Sequence, residues 1–156
     1  MDGIQYRQAE QIDLPNVARI WKKYEAFHNS LGLAFTNPPE AESAWLGSFE
    51  RTLGRFSFLW VAEQGKDLVA FLLARLKRAP GYLGGVMVGE ISDLFVEEAV
   101  RNRGVGANLV KLAVDHLSTQ QVHSIEVQVL VQNQLAIAFW RKLGFRDELL
   151  QLRWVP

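Results

Sequence analysis

Apolar residues recur along the first half of the chain at helical and then at strand-like spacings. Ile4–Gln8 predicts a first strand. We expect a helix from Asp13, whose side chain can cap it, with Pro15 in its first turn, where a missing N–H costs little. The apolar face of this helix consists of Val17, Ile20, Trp21, Tyr24 and His28. A second helix is predicted from Asn37-Pro38, with apolar residues every four positions at Trp45, Phe49 and Leu53.

The middle of the chain changes to continuous apolar runs, which indicate strands. Phe58–Glu63 and Leu68–Arg75 are separated by four polar or small residues, 64–67, and therefore predict a hairpin. Residues 79–85 contain three glycines and a proline and are expected to form a flexible connection. Val86–Val96 predicts a long strand after it.

Helices and strands alternate in the last part of the chain. We expect a helix over about residues 104–120, a strand over 125–129, a helix that stops at Gly144 and a last strand at Leu149–Val155. The whole order predicts an α/β fold with a mixed, mostly antiparallel central sheet flanked by helices. We expect residues 1–156 to form a single domain.

Composition excludes several classes of function. Of the 156 residues, 49% are apolar, which is enough for a hydrophobic core, and 17 basic side chains balance 17 acidic ones. A neutral chain has no global field to collect nucleic acid. There is no cysteine, and the three histidines lack the spacing of metal ligands, so no metal site is expected. With no leader-like start and no long apolar run, a cytoplasmic protein without membrane association is expected.

The segment Arg101–Ala107 carries the clearest chemical signal, because a strand ends there and a glycine-rich turn opens a helix. The first N–H groups of a helix lack internal partners and carry a positive potential. Gly104 and Gly106 let a phosphate approach the backbone, and Arg101 and Arg103 add positive charge. The segment is neither a P-loop nor the dinucleotide fingerprint, since Leu109 stands at the third glycine position.

Two motifs together resemble those of the GCN5-related N-acetyltransferases (GNAT). The first is Arg101-x-x-Gly104-x-Gly106, preceded by the strand Ile91–Val96. The second is similar to the family's block N-x-x-A-x-x-F-Y-x-x-x-G-F and consists of Asn133, Ala136, Phe139, Trp140, Gly144 and Phe145. The resemblance implies the GNAT-like acyl-CoA N-acyltransferase fold and acetyl-CoA as cosubstrate.

The resemblance also implies where acetyl-CoA binds. The pyrophosphate is expected on backbone N–H groups of the glycine turn, which Arg101 opens, namely those of Asn102, Arg103, Gly104, Val105, Gly106 and Ala107. The pantetheine arm is expected to pair with the backbone of Leu94, Phe95 and Val96. Asn133 is expected to make a polar contact with the cosubstrate, and it can equally cap the helix that follows it.

The family reaction is direct attack of an amine on the acetyl thioester, for which a base must take a proton. Glu90, Ser92 and Asp93 are the candidates on the strand beside the thioester. Ser92 stands where relatives often have a glutamate. Glu90, acting through a water, is the first choice as base and Asp93 the second, while a purely structural role for either carboxylate stays open.

Trp140 occupies the position of the tyrosine that protonates the departing thiolate in many relatives. An indole N–H donates a hydrogen bond but is not a usable acid. Water, Tyr24 or Tyr82 could replace that tyrosine, and Trp140 could instead only pack the core.

The acceptor is not identified by the sequence: a small amine, an amino acid and a protein amine all stay open. A cleft completed by a second subunit, and hence a homodimer, also stays open. The alternative to an enzyme is a non-catalytic acyl-CoA-binding regulatory module of the same fold, which Ser92 and Trp140 would favour. A weaker alternative keeps the phosphate site for another nucleotide.

Overall fold

The computed structural model describes residues 3–156, which fold into a sheet with helices on both faces. The strands are β1 (Ile4–Gln8), β2 (Ser57–Gln64), β3 (Asp67–Arg78), β4 (Met87–Val96) and β5 (Ser124–Val127). The helices are α1 (Leu14–Ser30), α2 (Ala41–Gly47), α3 (Val105–Thr119) and α4 (Gln134–Lys142). Most bounds agree with the predicted elements to within a few residues.

The strands lie in the sheet in the same order as in the chain. The first four are antiparallel to their neighbours, and β5 alone is parallel to β4. The β3–β4 pairing runs the length of both strands, from Ala70 opposite Val96 to Arg78 opposite Met87. The β4–β5 pairing is much shorter and ends where Ile91 lies opposite Val127. The predicted mixed, mostly antiparallel sheet is confirmed.

Each face of the sheet has its own apolar core. On one face, α3 and α4 cover a cluster that includes Trp60, Leu72, Ile91, Leu109 and Trp140. On the other face, α1 and α2 cover a second cluster, which contains Val17, Ile20, Trp21, Phe49 and Phe71. Side chains alternate between the two faces of a strand, so the continuous apolar runs of β2 and β3 supply both clusters.

Two of the predicted elements are wrong in place or in kind. The second helix begins at Ala41 and not at Asn37-Pro38, because residues 37–38 have no regular structure and a turn at residues 39–40 precedes the helix. Leu149–Val155 is not a strand: these residues pair with no strand of the described chain, and the exposed fraction of Leu149 is 91% and that of Trp154 is 84%. An alternating apolar pattern gives a segment the tendency to be a strand, but pairing needs a partner edge.

Asp13 does not cap α1 with its side chain, contrary to the prediction. Both of its carboxylate oxygens accept hydrogen bonds from the Arg7 guanidinium, at 2.7 and 2.8 Å, and one also accepts from the N–H of Glu10 at 2.7 Å. Arg7 also donates to Glu63 on β2. The carboxylate therefore ties the start of α1 to the edge of the sheet. The hydrogen bonds from Arg7 are the main reason that the pKa of Asp13 is lowered.

We expect Asp13→Asn to lower the free energy of unfolding by about 1–2 kcal/mol at pH 7. The expected loss is no larger because Arg7 is partly exposed, and solvent weakens its ion pair with Asp13. The lowered pKa means that this stabilisation is present above the ordinary carboxyl pKa and is lost as the pH falls. Chemical denaturation should therefore show a smaller difference between the wild type and Asp13→Asn at pH 3 than at pH 7. Asp115→Asn is the control, because its pair with Lys111 is exposed. An equal loss at both pH values would contradict this account.

Candidate acyl-CoA site at the parted strands

An open stretch of β4 backbone lies beyond the last residue that β5 pairs. The β4–β5 ladder ends at Ile91, and residues 128–130 continue without strand pairing. At the same point the β3–β4 register shifts, because Leu73 lies opposite Asp93 while Ala74 lies opposite Ile91. Ser92 is thus the extra residue of a β-bulge, which bends the strand and re-aims its side chains. The two neighbouring strands part here and leave a gap along Ser92–Val96.

Hydrogen-bond alternation tells which β4 backbone groups face this gap. The N–H of Glu97 donates to the carbonyl oxygen of Val69 on β3 at 2.8 Å. Alternate residues of an antiparallel strand direct their backbone groups to opposite sides. Phe95 therefore also bonds to β3, whereas the N–H and C=O of Leu94 and Val96 face the gap. The backbone of all three residues was predicted to pair with the pantetheine arm; the backbone of Phe95 faces β3, and its ring lies in the core beneath α1.

The glycine turn is built for close approach at the start of α3. Asn102 and Gly104 both have positive φ angles, 60° and 78°, so that the chain reverses sharply before the helix. No side chain caps α3, and the first helical bond runs from the N–H of Asn108 to the carbonyl of Gly104. The N–H groups of Val105, Gly106 and Ala107 consequently lack intrahelical acceptors. The helix start offers unpaired donors and a positive potential.

Gly106 is favoured by close packing and not by its φ angle. A Cβ there would lie 3.3 Å from the ring of Phe139 and 3.6 Å from Val96. This contact sets the start of α3 against both α4 and the end of β4. Arg101 fixes the same corner, because its Nε donates to the carbonyl oxygen of Val96 at 2.8 Å and its guanidinium lies 5.7 Å from the ring centre of Phe95. Arg101 thus uses the Val96 carbonyl that would otherwise face the gap, and Arg103 is exposed.

Two residues of the downstream motif have structural roles in α4. The side-chain oxygen of Asn133 accepts from the N–H of Ala136 at 3.1 Å, so this residue caps the helix as one of its two predicted roles. Trp140 is only 6% exposed and packs edge-to-face between Phe139 and Phe145, with ring centres 5.1 Å apart in both pairs. The described part of the chain gives the Trp140 indole N–H no hydrogen-bond partner.

A buried carboxylate lies directly beside the bulge. Asp93 is 9% exposed, and its Oδ2 accepts from the Ser92 hydroxyl at 2.9 Å and from the Trp45 indole N–H at 3.4 Å. The Tyr24 hydroxyl reaches the carbonyl oxygen of Ser92 at 3.4 Å. Burial raises the pKa of Asp93 above its ordinary value, although both hydrogen bonds oppose that rise. Burial, together with Asp93 and Glu25, also raises the pKa of Tyr24, so the phenol stays neutral.

Glu90 lies in a different environment from Asp93. Its carboxylate accepts a hydrogen bond from Lys77 Nζ at 3.1 Å, and Lys77 also pairs with Glu126 of β5. Glu90 lies opposite Glu126 in the parallel ladder, before the strands part. The structure therefore places the two carboxylates that the sequence analysis weighed at different points along β4, and only Asp93 adjoins the gap.

Similarity to known proteins identifies the family of this chain. Residues 24–145 match the acetyltransferase (GNAT) family. The chain belongs to the GNAT family. It is 29% identical over 139 residues to a mycothiol acetyltransferase of Corynebacterium glutamicum (strain R), which covers 76% of this chain and 46% of that protein. It is 32% identical over 68 residues to an uncharacterised N-acetyltransferase of Methanocaldococcus jannaschii, which covers 44% of this chain and 30% of that one. The chain spans less than half the length of these curated relatives.

Solved structures show the same GNAT fold at low sequence identity. A tetramutant of a Bacillus halodurans protein has a TM-score of 0.81 at 24% identity, with 97% of this chain and 99% of that one covered. A Clostridium acetobutylicum protein described as a predicted acetyltransferase and solved with acetyl-CoA has a TM-score of 0.79 at 20% identity, with 97% and 96% covered. The predicted fold and family are therefore confirmed.

A metal-binding cluster and a membrane-spanning helix are both absent from residues 3–156. None of their His, Asp and Glu side chains form a group of three that could hold a metal ion. None of the helices in this range is long and apolar enough to cross a membrane.

Sequence reasoning on this GNAT chain did not foresee the bulge at Ser92 or the role of Arg75. Arg75 Nε lies 3.5 Å from the Ser92 hydroxyl, and the rest of its guanidinium contacts Ser48. The sequence offered one sign of a special role for Arg75, namely its positive charge at the end of an otherwise apolar run. A bulge has no comparable signal, because it depends on the register of two strands.

The burial of Asp93 predicts that this carboxylate reduces the stability of the GNAT fold. Because its pKa is raised in the folded state, the folded chain holds its proton longer and stability falls as pH rises above the ordinary carboxyl pKa. We expect Asp93→Asn to raise the unfolding midpoint at pH 7, with about 2–4 °C for each kcal/mol relieved. The gain should vanish near pH 3.5, which thermal unfolding at the two pH values would show. A lower midpoint for Asp93→Asn at pH 7 would contradict the prediction.

Proposed function

We propose that this protein transfers the acetyl group of acetyl-CoA to a primary amine by direct attack in a ternary complex. The observation that carries the proposal is the gap beside β4, which opens next to an uncapped helix start in a chain of the GNAT family. A backbone edge and a set of unpaired N–H groups at one place suit a ligand with an amide-bearing arm and a diphosphate.

The proposed binding mode uses backbone more than side chains. The pyrophosphate contacts N–H groups of residues 102–107. Gly104 leaves open space there, because no atom beyond its chain neighbours lies within 4 Å of the position that a Cβ would take. The amide groups of the pantetheine arm bond to Leu94 and to the N–H of Val96 as an added strand. Arg103 is free to add charge at the surface, while Arg101 holds the corner together. The free side-chain amide of Asn133 adds a polar contact.

We assign the general base to Asp93, acting through the hydroxyl of Ser92. The amine nitrogen attacks the thioester carbonyl carbon, the C–S bond breaks, and the amine proton passes to the Ser92 oxygen as the Ser92 proton passes to Asp93. The 2.9 Å contact between Ser92 Oγ and Asp93 Oδ2 supports this relay, and the raised pKa of Asp93 makes it a better proton acceptor. Glu90 is the weaker candidate because Lys77 already neutralises it.

Protonation of the thiolate is assigned to water. The nearby phenol of Tyr24 has a raised pKa and is therefore a poor acid. Tyr82, the other tyrosine considered, is a surface side chain with an exposed fraction of 87%. Trp140 carries no acidic proton, and its ring packs the core of α4. A thiol with a pKa near that of cysteine, about 8.5, leaves without a strong acid.

The second candidate function is binding of acyl-CoA without transfer. It is favoured by Trp140 and Ser92, which stand where a tyrosine and a glutamate are common in relatives. The buried Asp93 beside the gap favours the enzyme, because binding alone gives no reason to keep a carboxylate with an unfavourable burial.

The binding mode predicts that Gly104→Glu abolishes acetyl-CoA binding. A carboxylate there occupies the open space and repels the diphosphate, so we expect affinity to fall by more than roughly 100-fold in calorimetric titration. Gly104→Ala is the matched control, because it has the same backbone strain at φ 78° without the charge. It should lose about 1 kcal/mol of stability and keep most of its affinity. Unchanged affinity in Gly104→Glu would exclude the pyrophosphate assignment.

The proton relay predicts separate effects on turnover and on binding. Asp93→Asn should lower kcat by about 10²–10⁴-fold with an unchanged Kd for acetyl-CoA, measured by thiol release on a panel of amines and by calorimetry. Ser92→Ala should have a smaller effect in the same direction, since water can bridge to Asp93. Glu90→Gln is the control, because it removes a carboxylate charge from an earlier position on β4. It should change kcat little. A larger loss in Glu90→Gln than in Asp93→Asn would reassign the base to Glu90.

A further inference from the structure

Arg75 is a fixed cation next to Ser92 of the proposed site. Its Nη1 donates to the carbonyl oxygen of Ser48 at 3.0 Å, and its Nη2 donates to the Ser48 hydroxyl at 2.9 Å. Its Nε lies 3.5 Å from the Ser92 hydroxyl, and the guanidinium lies 5.8 Å from the ring centre of Phe49. The side chain is half-buried. Contacts to Ser48 and Phe49, which follow α2, and to Ser92 on β4 therefore hold the guanidinium in one position.

Arg75 has no carboxylate partner in the described part of the chain. The ion pairs among residues 3–156 involve other cations. Glu90 lies directly opposite Arg75 in the β3–β4 register but pairs with Lys77 instead. Asp93 is close enough for its charge to be stabilised, yet the Ser92 hydroxyl stands between the two groups. A half-buried guanidinium without a counter-ion is unusual, because charges at such sites are normally paired.

The unused donors of Arg75 are suited to an anion from outside the chain. A guanidinium has five N–H donors, and the three contacts above use three of them, so one N–H on each terminal nitrogen remains. Because the contacts to Ser48 occupy the paired N–H groups at the end of the guanidinium, each remaining N–H can donate singly to a carboxylate oxygen. On the other side of Ser92 lies the carboxylate of Asp93, which we assign to accept the amine proton. One hydroxyl group thus separates an anion-binding group from a proton acceptor.

The geometry points to an amino acid as the acceptor, with its carboxylate on Arg75 and its α-amine at Ser92 and Asp93. This inference rests on the proposed acetyl transfer and specifies its substrate class. A compact amino acid carries both groups on one carbon, and this matches the short separation of Arg75 from Asp93. An amine without a carboxylate leaves the cation unpaired and brings its own positive charge beside it. Diamines and polyamines are therefore poor acceptors for this site.

Matched acceptors test the inference. The purified protein is assayed for thiol release with L-phenylalanine, L-phenylalaninamide and phenethylamine, and with the equivalent sets built on methionine and alanine. We expect kcat/KM for the amino acid to exceed that for its amide and its decarboxylated amine by roughly 10- to 100-fold, the loss expected for one charge-assisted contact. Equal or better use of the amides and amines across all sets would overturn the inference.

Variants assign the preference to Arg75. Arg75→Gln should remove the preference by lowering kcat/KM for the amino acids alone, with an unchanged Kd for acetyl-CoA and a folded state confirmed by thermal unfolding. Arg78→Gln is the control, because Arg78 lies at the end of β3 and donates to Gly85. It should keep the preference. An equal loss on all three acceptors in Arg75→Gln would show a structural role for Arg75 and overturn the inference.

A binding measurement separates this inference from the proposed activity. Calorimetric titration of the same three ligands into CoA-saturated protein should show binding of the amino acid to the wild type and a loss of at least about tenfold in Arg75→Gln. Such binding without turnover on any amine would retain the amino-acid site and overturn the transferase. Turnover on the amines together with no amino-acid binding would retain the transferase and overturn the amino-acid site.

Discussion

The parting of β4 from β5 after Ile91 is the constraint on which the rest of this site depends. Parallel pairing stops at Val127, and the β3–β4 register shifts at Ser92 while β4 stays paired with β3 as far as Val96. Backbone polar groups in the interior need partners, so an open edge is unfavourable unless something pairs with it. The Arg101 side chain satisfies one of the exposed carbonyls, that of Val96. In the proposed binding mode, the other backbone groups of this edge pair with acetyl-CoA.

The bulge connects the backbone of the site with its electrostatics. The extra residue in β4 brings Ser92 and Asp93 together on the side of α1 and α2, where Trp45 and Tyr24 close over them. Trp45 is itself held by stacking on Trp21, with ring centres 5.0 Å apart. The aromatic cover lowers the local polarity and raises the pKa of Asp93, while the hydrogen bonds from Ser92 and Trp45 limit that rise. In the proposed mechanism, the reduced stability comes with a base of suitable strength.

Packing explains why the glycine motif and the α4 motif occur together. Gly106 leaves room for the ring of Phe139, so the start of α3 rests directly on α4 and on the end of β4. The two sequence motifs therefore describe one corner of the molecule. Trp140 fills the space behind that corner between Phe139 and Phe145. A bulky aromatic ring at this position supports the corner whether or not it takes part in the chemistry.

The sequence was informative where local pattern and local chemistry decide the structure. The strand at Val86–Val96, the helix after Gly104 and the cap at Asn133 all follow from spacing, turn chemistry and capping, and the structure places them within a residue or two. Features that depend on pairing between distant segments were missed. Leu149–Val155 has the alternation of a strand but no partner edge, and neither the register shift at Ser92 nor the unpaired Arg75 is visible before β3 and β4 are aligned.

The central claim is that acetyl-CoA binds along the open edge of β4 and the start of α3. Hydrogen–deuterium exchange of the intact protein with and without acetyl-CoA tests it most directly, because backbone N–H groups are the proposed contacts. The account predicts strong protection of the amides in residues 92–97 and 102–107, with little change in β1 and β2. Binding that leaves those two segments unprotected, or that protects a different edge of the sheet, would contradict the account.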